Sequence, residues 1–420
     1  MFGELNLARL KGFKKLTSIN KASSTLLKQL KLEKLQSIEI HTSIALGRVT
    51  AEDIVAENDL PLFDRSAVDG YAVKAKNTFE ASQFSPRLLK LTKNNKIGQN
   101  EAREIWTGNP LPKGADAVVM LEYTKKRQNK IEVWTPVTPG KNVSKKGEDV
   151  KKGETAIESG TRLKPHHVGL LAALGKTHVR VVKKPKVALL STGNELTELG
   201  YKPKLNQVVD ANRIILSCMC QELDAEPLDL GITKDNLNEI DAKIREGIEK
   251  ADILITTGGT SVGHADVVPT AVSQIETHGV IVHGIAMRPG MPTALAVLCG
   301  KPVIMLPGNP VAAMIGFEVF ARPLILKLLG IKYEPRPMLK AELTQQVPSA
   351  LGRQVFLRVH VFEREGKFFA EPVRTKGSGI LSTMTKANGY VIIPDNREGL
   401  EDGESVTVHL FDKIGEAQDV

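Results

Sequence analysis

The chain has 420 residues, of which 41% are hydrophobic, and carries a formal net charge of +9. This length is enough for several hydrophobic cores and predicts two to four domains. The basic residues are spread along the chain, and neither a recognition helix nor an aromatic-studded strand is predicted, so we expect no nucleic acid partner.

The same composition argues against secretion and membrane insertion. Three cysteines cannot build a disulfide framework. No run of eighteen apolar residues predicts a membrane span, and the first ten residues lack the apolar core of a secretory signal. We therefore expect a cytoplasmic protein with no membrane partner.

The first part of the chain predicts packing helices followed by a β-rich module. Apolar residues at three- and four-residue spacing predict helices over 16–35 and 43–56. Short apolar runs broken by Gly, Pro and Asn predict a β-rich module between 61 and 150. Pro165 then begins a further predicted helix, which a strand over 178–182 follows.

The second part predicts an α/β domain and a barrel. From 186 to 330 apolar strands alternate with helices, which predicts a doubly wound domain with a mainly parallel sheet. Short alternating strands within 331–420, such as 354–361 and 389–393, predict a small β-barrel. The predicted fold class is therefore α/β multidomain, with a β-rich module, a helical/β supporting domain and a C-terminal β-barrel.

Three predicted strands of the α/β domain end in polar loops at one edge of the sheet. Glu195 follows the first strand, a glycine-rich loop over 257–266 follows the second, and Leu306–Pro310 follows the third. Glycine lets backbone N–H groups approach an anion, and Pro310 predicts a helix whose N terminus also attracts one. The convergence of these loops predicts phosphate binding beyond the carboxyl ends of the strands.

Carboxylates accompany these loops and predict a metal. A phosphate beside several carboxylates requires a divalent cation between them, so Glu195, Asp235 and Asp266 predict a Mg²⁺ site. Each feature also has a simpler interpretation. Glu195 is typical of a solvated turn, Asp235 of a helix N-cap, and a glycine-rich loop of a purely conformational requirement.

Seven motifs follow one another in an order that matches a known family. They occupy 45–53, 63–73, 107–120, 147–149, 191–196, 257–266 and 306–311. The chain thereby resembles the molybdopterin molybdenumtransferases, which comprise the bacterial MoeA proteins and the C-terminal domain of gephyrin. The resemblance runs nearly from end to end.

The resemblance implies an elongated homodimer with four domains in each chain. The implied boundaries are 1–48 with 150–185 for a discontinuous supporting domain I, 49–149 for the β-rich domain II, 186–330 for a MogA-like, molybdopterin-binding domain III, and 331–420 for the β-barrel domain IV.

The resemblance also implies a reaction in molybdenum cofactor biosynthesis. Family members take molybdopterin as its adenylate, supplied by a MogA-type adenylyltransferase, and cleave it in a step that needs Mg²⁺ and molybdate. Molybdenum is left on the dithiolene sulfurs of molybdopterin, and AMP is released.

Residue roles follow from the matching motifs. The catalytic residues are then Asp69, Thr107 and Asp149, which reach the site across the dimer, and the metal-binding residues Glu195, Asp235 and Asp266. The oxyanion pocket is implied at Ser261, Arg288, Arg358 and Ser378. Further substrate-binding residues are Gly258, Gly259, Gly263, Pro307, Gly308 and Asn309.

Two departures from the family pattern leave more than one function open. The chain reads Arg288-Pro-Gly-Met291 where the family usually reads Lys-Pro-Gly-Lys, and His264 occupies a commonly acidic position. The loss of one cation favours weaker molybdate binding or a tungstate-preferring insertase. A nucleotide-pterin pyrophosphatase or adenylyltransferase and a non-catalytic scaffold also stay open, because a fold by itself does not determine a function.

Overall fold

A computed structural model describes residues 16–260, 267–276, 279–373 and 379–416. The chain divides into two compact units. One is formed by 38–181, and the other by the residues on both sides of that segment. The four domain boundaries expected from the sequence stay predictions.

Eight α-helices lie in the described part of the chain, and several begin at residues that favour a helix start. Pro165 and Pro310 occupy first turns, where the absent N–H would have had no helical partner. The Asn236 side chain accepts hydrogen bonds from the N–H groups of Asn238 and Glu239. The helices are α1 (Ile19–Gln29), α2 (Pro165–Ala173), α3 (Asn212–Glu222), α4 (Leu237–Lys250), α5 (Val267–Ile275), α6 (Pro310–Gly316), α7 (Arg322–Leu328) and α8 (Ser382–Lys386).

The unit formed by 38–181 is rich in short strands, as the broken apolar runs predict. Its strands are β1 (Ser37–His41), β2 (Ile54–Val55), β3 (Arg65–Ser66), β4 (Gly70–Val73), β5 (Arg87–Leu91), β6 (Glu101–Ile105), β7 (Ala117–Met120), β8 (Thr124–Arg127), β9 (Lys130–Val133), β10 (Val143–Ser144), β11 (Thr155–Ile157) and β12 (His178–Val182). Six of them form one sheet in the order β7-β4-β6-β5-β9-β8. Its buried side chains include Tyr71, Leu89 and Ile131.

The helix predicted over 43–56 is wrong. This segment contains a 3₁₀ turn at Thr42–Ile44 and continues in irregular backbone to β2. Gly47 has φ +78°, a left-handed conformation that interrupts a helix. Val49 and Thr50 form single β-bridges with Arg162 and Val181. Pairing with distant segments therefore overrides the helical spacing of the apolar residues.

The α/β part of the second unit contains the predicted doubly wound domain. Its strands are β13 (Lys186–Thr192), β14 (Leu196–Thr197), β15 (Val208–Val209), β16 (Glu226–Thr233), β17 (Ile253–Thr257), β18 (Val280–His283), β19 (Met287–Arg288), β20 (Ala294–Leu298) and β21 (Lys301–Leu306). The main sheet has the order β16-β13-β17-β21-β20-β18. The first four strands are parallel, and β20 runs antiparallel to both neighbours.

Both faces of this sheet are covered. Ala188 and Leu190 of β13 share a core with Ile240 and Ile244 of α4. Leu189, which points to the opposite face, is buried as well. Burial on both faces explains why the central strands are continuous apolar runs. The mainly parallel sheet predicted from the alternation of strands and helices is confirmed.

The predicted C-terminal barrel is also confirmed. Its strands are β22 (Met338–Leu343), β23 (Val347–Pro348), β24 (Gln354–Arg364), β25 (Lys367–Pro372), β26 (Gly389–Ile393), β27 (Gly399–Leu400), β28 (Ser405–Leu410) and β29 (Gly415–Glu416). Five of them close into a ring in the order β24-β25-β22-β28-β26 and back to β24. The short strand β19 adds to this sheet beside β24. Within the described residues, no helix is long and apolar enough to cross a membrane.

Candidate functional site

The polar loops that follow β13, β17 and β21 line one cavity of about 630 Å³. These strands are neighbours in the parallel part of the sheet, so their carboxyl ends meet at the same edge. The lining residues that the sequence predicted are Glu195, Asp235, Gly258, Gly259, Pro307, Gly308 and Asn309. The tertiary structure therefore brings together residues that are more than a hundred positions apart.

Gly258 determines the shape of the cavity floor. Its φ is +85°, and a Cβ atom at this position would lie 2.2 Å from the carbonyl oxygen of Thr192. Its N–H donates to the carbonyl oxygen of Leu306 at 3.1 Å. That N–H therefore joins β17 to β21 and is not available to an anion. The contribution of Gly258 is the close approach of the strand ends, which only glycine permits.

Asn212, which was not identified from the sequence, connects the loop after β21 to the start of α3. Its Nδ2 donates a hydrogen bond to the carbonyl oxygen of Gly308 at 2.7 Å. The carbonyl can only accept, so this bond also determines which end of the Asn212 amide is its oxygen. That Oδ1 is buried without a hydrogen-bond partner among the described residues, and the side chain lines the cavity.

The local sequence around Asn212 gives no sign that this residue supports the cavity. Asp210 accepts hydrogen bonds from the N–H groups of Asn212 and Arg213, at 3.1 and 3.3 Å. An Asp followed by an apolar run is typical of a helix start, and that interpretation is sufficient for the sequence pattern. Only the contact with Gly308 shows that Asn212 also supports the cavity.

Two carboxylates in the cavity repel one another. Burial and the nearby negative charge of Glu195 raise the pKa of Asp235, although a hydrogen bond from Asn194 opposes the change. Glu195 itself is exposed. A concentrated negative charge of this kind suits a divalent cation with oxygen ligands, because the cation relieves the repulsion.

The third predicted metal ligand, Asp266, lies outside the described residues, as do Ser261, Gly263, His264 and Ser378. Within the described ranges, no group of three or more His, Cys, Asp or Glu side chains is placed to hold a metal. Glu195 and Asp235 are therefore the two candidate ligands whose positions are known, and their hard oxygen donors fit Mg²⁺.

A second cavity, of about 400 Å³, adjoins the first and is strongly basic. Arg288, Arg353 and Arg358 line it, and its described lining contains no carboxylate. Arg358 is only 5% exposed, and burial, together with the positive charge of Arg288, lowers its pKa. Sequence reasoning identified Arg288 and Arg358 but missed Arg353.

The two cavities share part of their walls. Pro292, Pro307 and Asn309 line both of them. The carboxylates of the first cavity and the guanidinium groups of the second therefore lie on neighbouring parts of the same surface.

Asp69 and Thr107 meet in the unit formed by 38–181. The N–H and the hydroxyl of Thr107 both donate to Oδ1 of Asp69, each at 2.7 Å. These hydrogen bonds lower the pKa of the exposed Asp69 carboxyl. Asp149 is exposed, and its N–H donates to the carbonyl oxygen of Leu60. No hydrogen bond joins Asp149 to Asp69 or Thr107 in the described structure.

Three family models match successive parts of the chain. The MoeA N-terminal region (domain I and II) matches residues 17–175, the "Probable molybdopterin binding domain" matches 188–327, and the MoeA C-terminal region (domain IV) matches 340–411. The cavity loops and the basic cavity fall in the second and third of these regions.

Individual proteins are similar over almost the whole length. A protein of Methanocaldococcus jannaschii named for molybdopterin biosynthesis is 36% identical and covers 97% of this chain and 98% of its own. The Bacillus subtilis molybdopterin molybdenumtransferase is 35% identical, and the match covers 87% of this chain and 88% of the Bacillus protein. The Haemophilus influenzae protein of that name is 32% identical, and the match covers 94% of this chain and 99% of the Haemophilus protein.

Solved structures agree with this assignment. A crystal structure of the molybdopterin biosynthesis MoeA protein from Pyrococcus horikoshii has a TM-score of 0.81, with 33% identity over 94% of this chain and 100% of that one. A second structure of the Pyrococcus protein has a TM-score of 0.78 and 37% identity, and the match covers 95% of this chain and 100% of that one. The resemblance seen in the sequence motifs is thus confirmed, and the chain belongs to the MoeA family of molybdopterin molybdenumtransferases, which are enzymes of the transferase class.

Proposed function

We propose that this enzyme inserts molybdenum from molybdate into adenylylated molybdopterin and releases AMP. The observation that carries the proposal is the pair of adjoining cavities, one with two carboxylates and one with three guanidinium groups. The first suits a metal-bound pyrophosphate and the second a tetrahedral oxyanion. The bacterial relatives named molybdopterin molybdenumtransferase support this substrate class.

Mg²⁺ fits the end of the site that holds Glu195 and Asp235. When bound there, it would neutralise charge between these carboxylates and the pyrophosphate. Asp266 is proposed as a third ligand from the family motif. Cleavage adds one water across the phosphoanhydride bond and yields AMP and the phosphate of molybdopterin. The protein groups at this end orient the pyrophosphate for that cleavage.

The remaining parts of the proposal come from the family. Asp69, Thr107 and Asp149 are assigned to the same reaction, Ser261 and Ser378 to the oxyanion pocket, and Gly263 to the glycine loop. We also propose a homodimer, a MogA-type adenylyltransferase as the source of the substrate, and a cytoplasmic location.

AMP release from purified protein tests this function. The protein is given adenylylated molybdopterin and Mg²⁺, with molybdate, with tungstate or with no oxyanion. We expect release to depend on the oxyanion, because the basic cavity adjoins the cleavage site. A preference for tungstate would identify a tungstate-using insertase.

Two outcomes would replace the proposal. Cleavage at the same rate without an oxyanion would indicate a nucleotide-pterin pyrophosphatase. The absence of cleavage, while the substrate still binds, would indicate a scaffold.

Asn212→Ala should raise the KM for adenylylated molybdopterin by about tenfold, because the Gly308 carbonyl loses its donor and the loop is no longer held. Asn212→Asp should raise it further, since a carboxylate cannot donate to that carbonyl and adds negative charge beside the pyrophosphate. Steady-state kinetics of AMP release measure both effects.

Asn238→Ala, on the exposed first turn of α4, provides the control. A KM for the Asn212 variants within twofold of this control would contradict the role of the Asn212 amide.

A further inference from the structure

The basic cavity contains one more arginine than the family motifs assign. Arg353 lines it together with Arg288 and Arg358, and the described wall is otherwise apolar or uncharged. The other described lining residues are Met287, Pro289, Gly290, Met291, Pro292, Pro307, Asn309, Ala312, Val355, Phe356 and Leu357. Three positive charges without a lining carboxylate favour an anionic ligand of high charge density.

Strand pairing explains how Arg353 reaches this wall. Met287 and Arg288 of β19 pair in parallel with Gln354 and Val355 of β24. The N–H of Gln354 also donates to the carbonyl oxygen of Ala286 at 2.9 Å. Arg353 therefore lies directly before β24, at the point where this strand meets β19 and beside the turn that carries Arg288.

Met291 occupies the other end of that turn. Its carbonyl oxygen accepts a hydrogen bond from the N–H of Ile285 at 2.9 Å, and it lines the same cavity. A thioether offers neither charge nor a strong donor to an oxyanion. With the lysine of the usual family motif replaced, the described wall would hold only two cations if Arg353 were absent.

We propose that Arg353 is a specificity-determining residue that contacts the tetrahedral oxyanion and replaces the cation that Met291 lacks. The inference rests on the proposed function, because it assigns the oxyanion of that reaction to this cavity. Arg353 is exposed at the rim, whereas Arg358 is buried. The exposed Arg353 and the buried Arg358 would therefore contact the same anion from the solvent side and from the protein interior. A planar guanidinium donates two parallel hydrogen bonds to such an oxyanion, which an ammonium cannot do.

Direct binding of molybdate to the full-length protein tests the assignment. Equilibrium dialysis gives the Kd of the wild type and of Arg353→Ala, Arg353→Lys and Arg353→Ala/Met291→Lys, and melting temperatures check folding. We expect Arg353→Ala to weaken binding about 10- to 100-fold, which is typical for the loss of one charge-assisted hydrogen-bonded contact. Arg353→Lys should lie between the two.

The double variant separates charge replacement from a structural effect. A lysine at 291 should bring the Kd of the Arg353→Ala background back to within about threefold of the wild-type Kd, because it restores one charge-assisted contact. Arg364→Ala is the matched control, because Arg364 is exposed at the end of β24 that lies away from Arg353 and does not line the cavity. It should bind molybdate within twofold of the wild type.

Three results would overturn the proposal in different ways. If the wild type binds molybdate and Arg353→Ala binds it equally well, the role of Arg353 is wrong while the proposed function stands. If the wild type binds neither molybdate nor tungstate, the assignment of the oxyanion to this cavity is wrong, and the proposed function fails together with the role of Arg353. A folded Arg353→Ala that binds weakly and is not rescued by Met291→Lys would exclude the replacement of the missing cation.

Discussion

Glu195→Gln should lower the affinity for Mg²⁺ by about 100-fold or more, and with it the Mg²⁺-dependent release of AMP. Loss of a group that only orients a metal ligand already costs about 10- to 100-fold in affinity, so loss of a proposed ligand should cost at least as much. Isothermal titration with Mg²⁺ and the AMP assay measure the two effects.

The same substitution should raise the melting temperature when no divalent cation is present. Burial and, to a smaller extent, the Glu195 charge raise the pKa of Asp235 in the folded protein. A carboxyl with a raised pKa favours folding below its unfolded pKa, and this advantage is lost as the pH rises through the folded pKa. Removing the Glu195 charge removes the smaller of these two causes and lowers the pKa of Asp235 in part. Above that range the variant should therefore melt at a higher temperature than the wild type in EDTA.

A pH series of melting curves in EDTA and in MgCl₂ separates the two effects. The difference in EDTA should shrink as the pH falls below the ordinary pKa of Asp, because Asp235 is then protonated in the folded and unfolded states of both proteins. Glu249→Gln, exposed at the end of α4, controls for the loss of a negative charge. A variant that is less stable than the wild type in EDTA at neutral pH would show that Glu195 is a structural residue.

Gly258→Ala should destabilise the protein by about 2–4 kcal/mol and abolish AMP release. A positive φ disfavours alanine by about 1 kcal/mol, and a Cβ 2.2 Å from the Thr192 carbonyl oxygen forces the ends of β13 and β17 apart. The cavity floor would move with them. Differential scanning calorimetry should show a melting temperature lower by several degrees.

Gly330→Ala isolates the cost of the backbone conformation. Gly330 has φ +75°, but a Cβ atom there meets nothing within 4 Å. The control should therefore lose only the conformational part of the stability and keep its activity. Equal losses for the two variants would mean that the contact with Thr192 does not matter.

The fold was largely predictable because its local signals are strong. The strand at Gly389–Ile393 has the predicted bounds, and the helix at Pro310 begins at the predicted proline. Short continuous apolar runs bounded by glycine-rich loops are typical of buried parallel strands. The segment 43–56 was mispredicted because its apolar spacing is helical while its backbone partners, such as Val181, lie far away in the sequence.

The candidate site was predictable where one residue carries its own signal. Glu195 and Asp235 follow strands, and the general rule for parallel sheets places such residues at one edge. Asn212 and Arg353 carry no such signal. An asparagine at a helix start is explained by capping, and an arginine before a strand is explained by its exposure to solvent. Neither residue therefore needs a functional site to explain its place in the sequence.

The sequence by itself determined the family, the α/β and barrel architecture, and the types of charged group that the site contains, because each depends on short patterns within a continuous segment. Only the tertiary structure decided which of these groups line the same cavity. The Asn212 amide reaches the Gly308 carbonyl, and Arg353 joins Arg288 beside Met291. Such contacts depend on the register of strands that are far apart in the chain, and no spacing along the chain encodes that register.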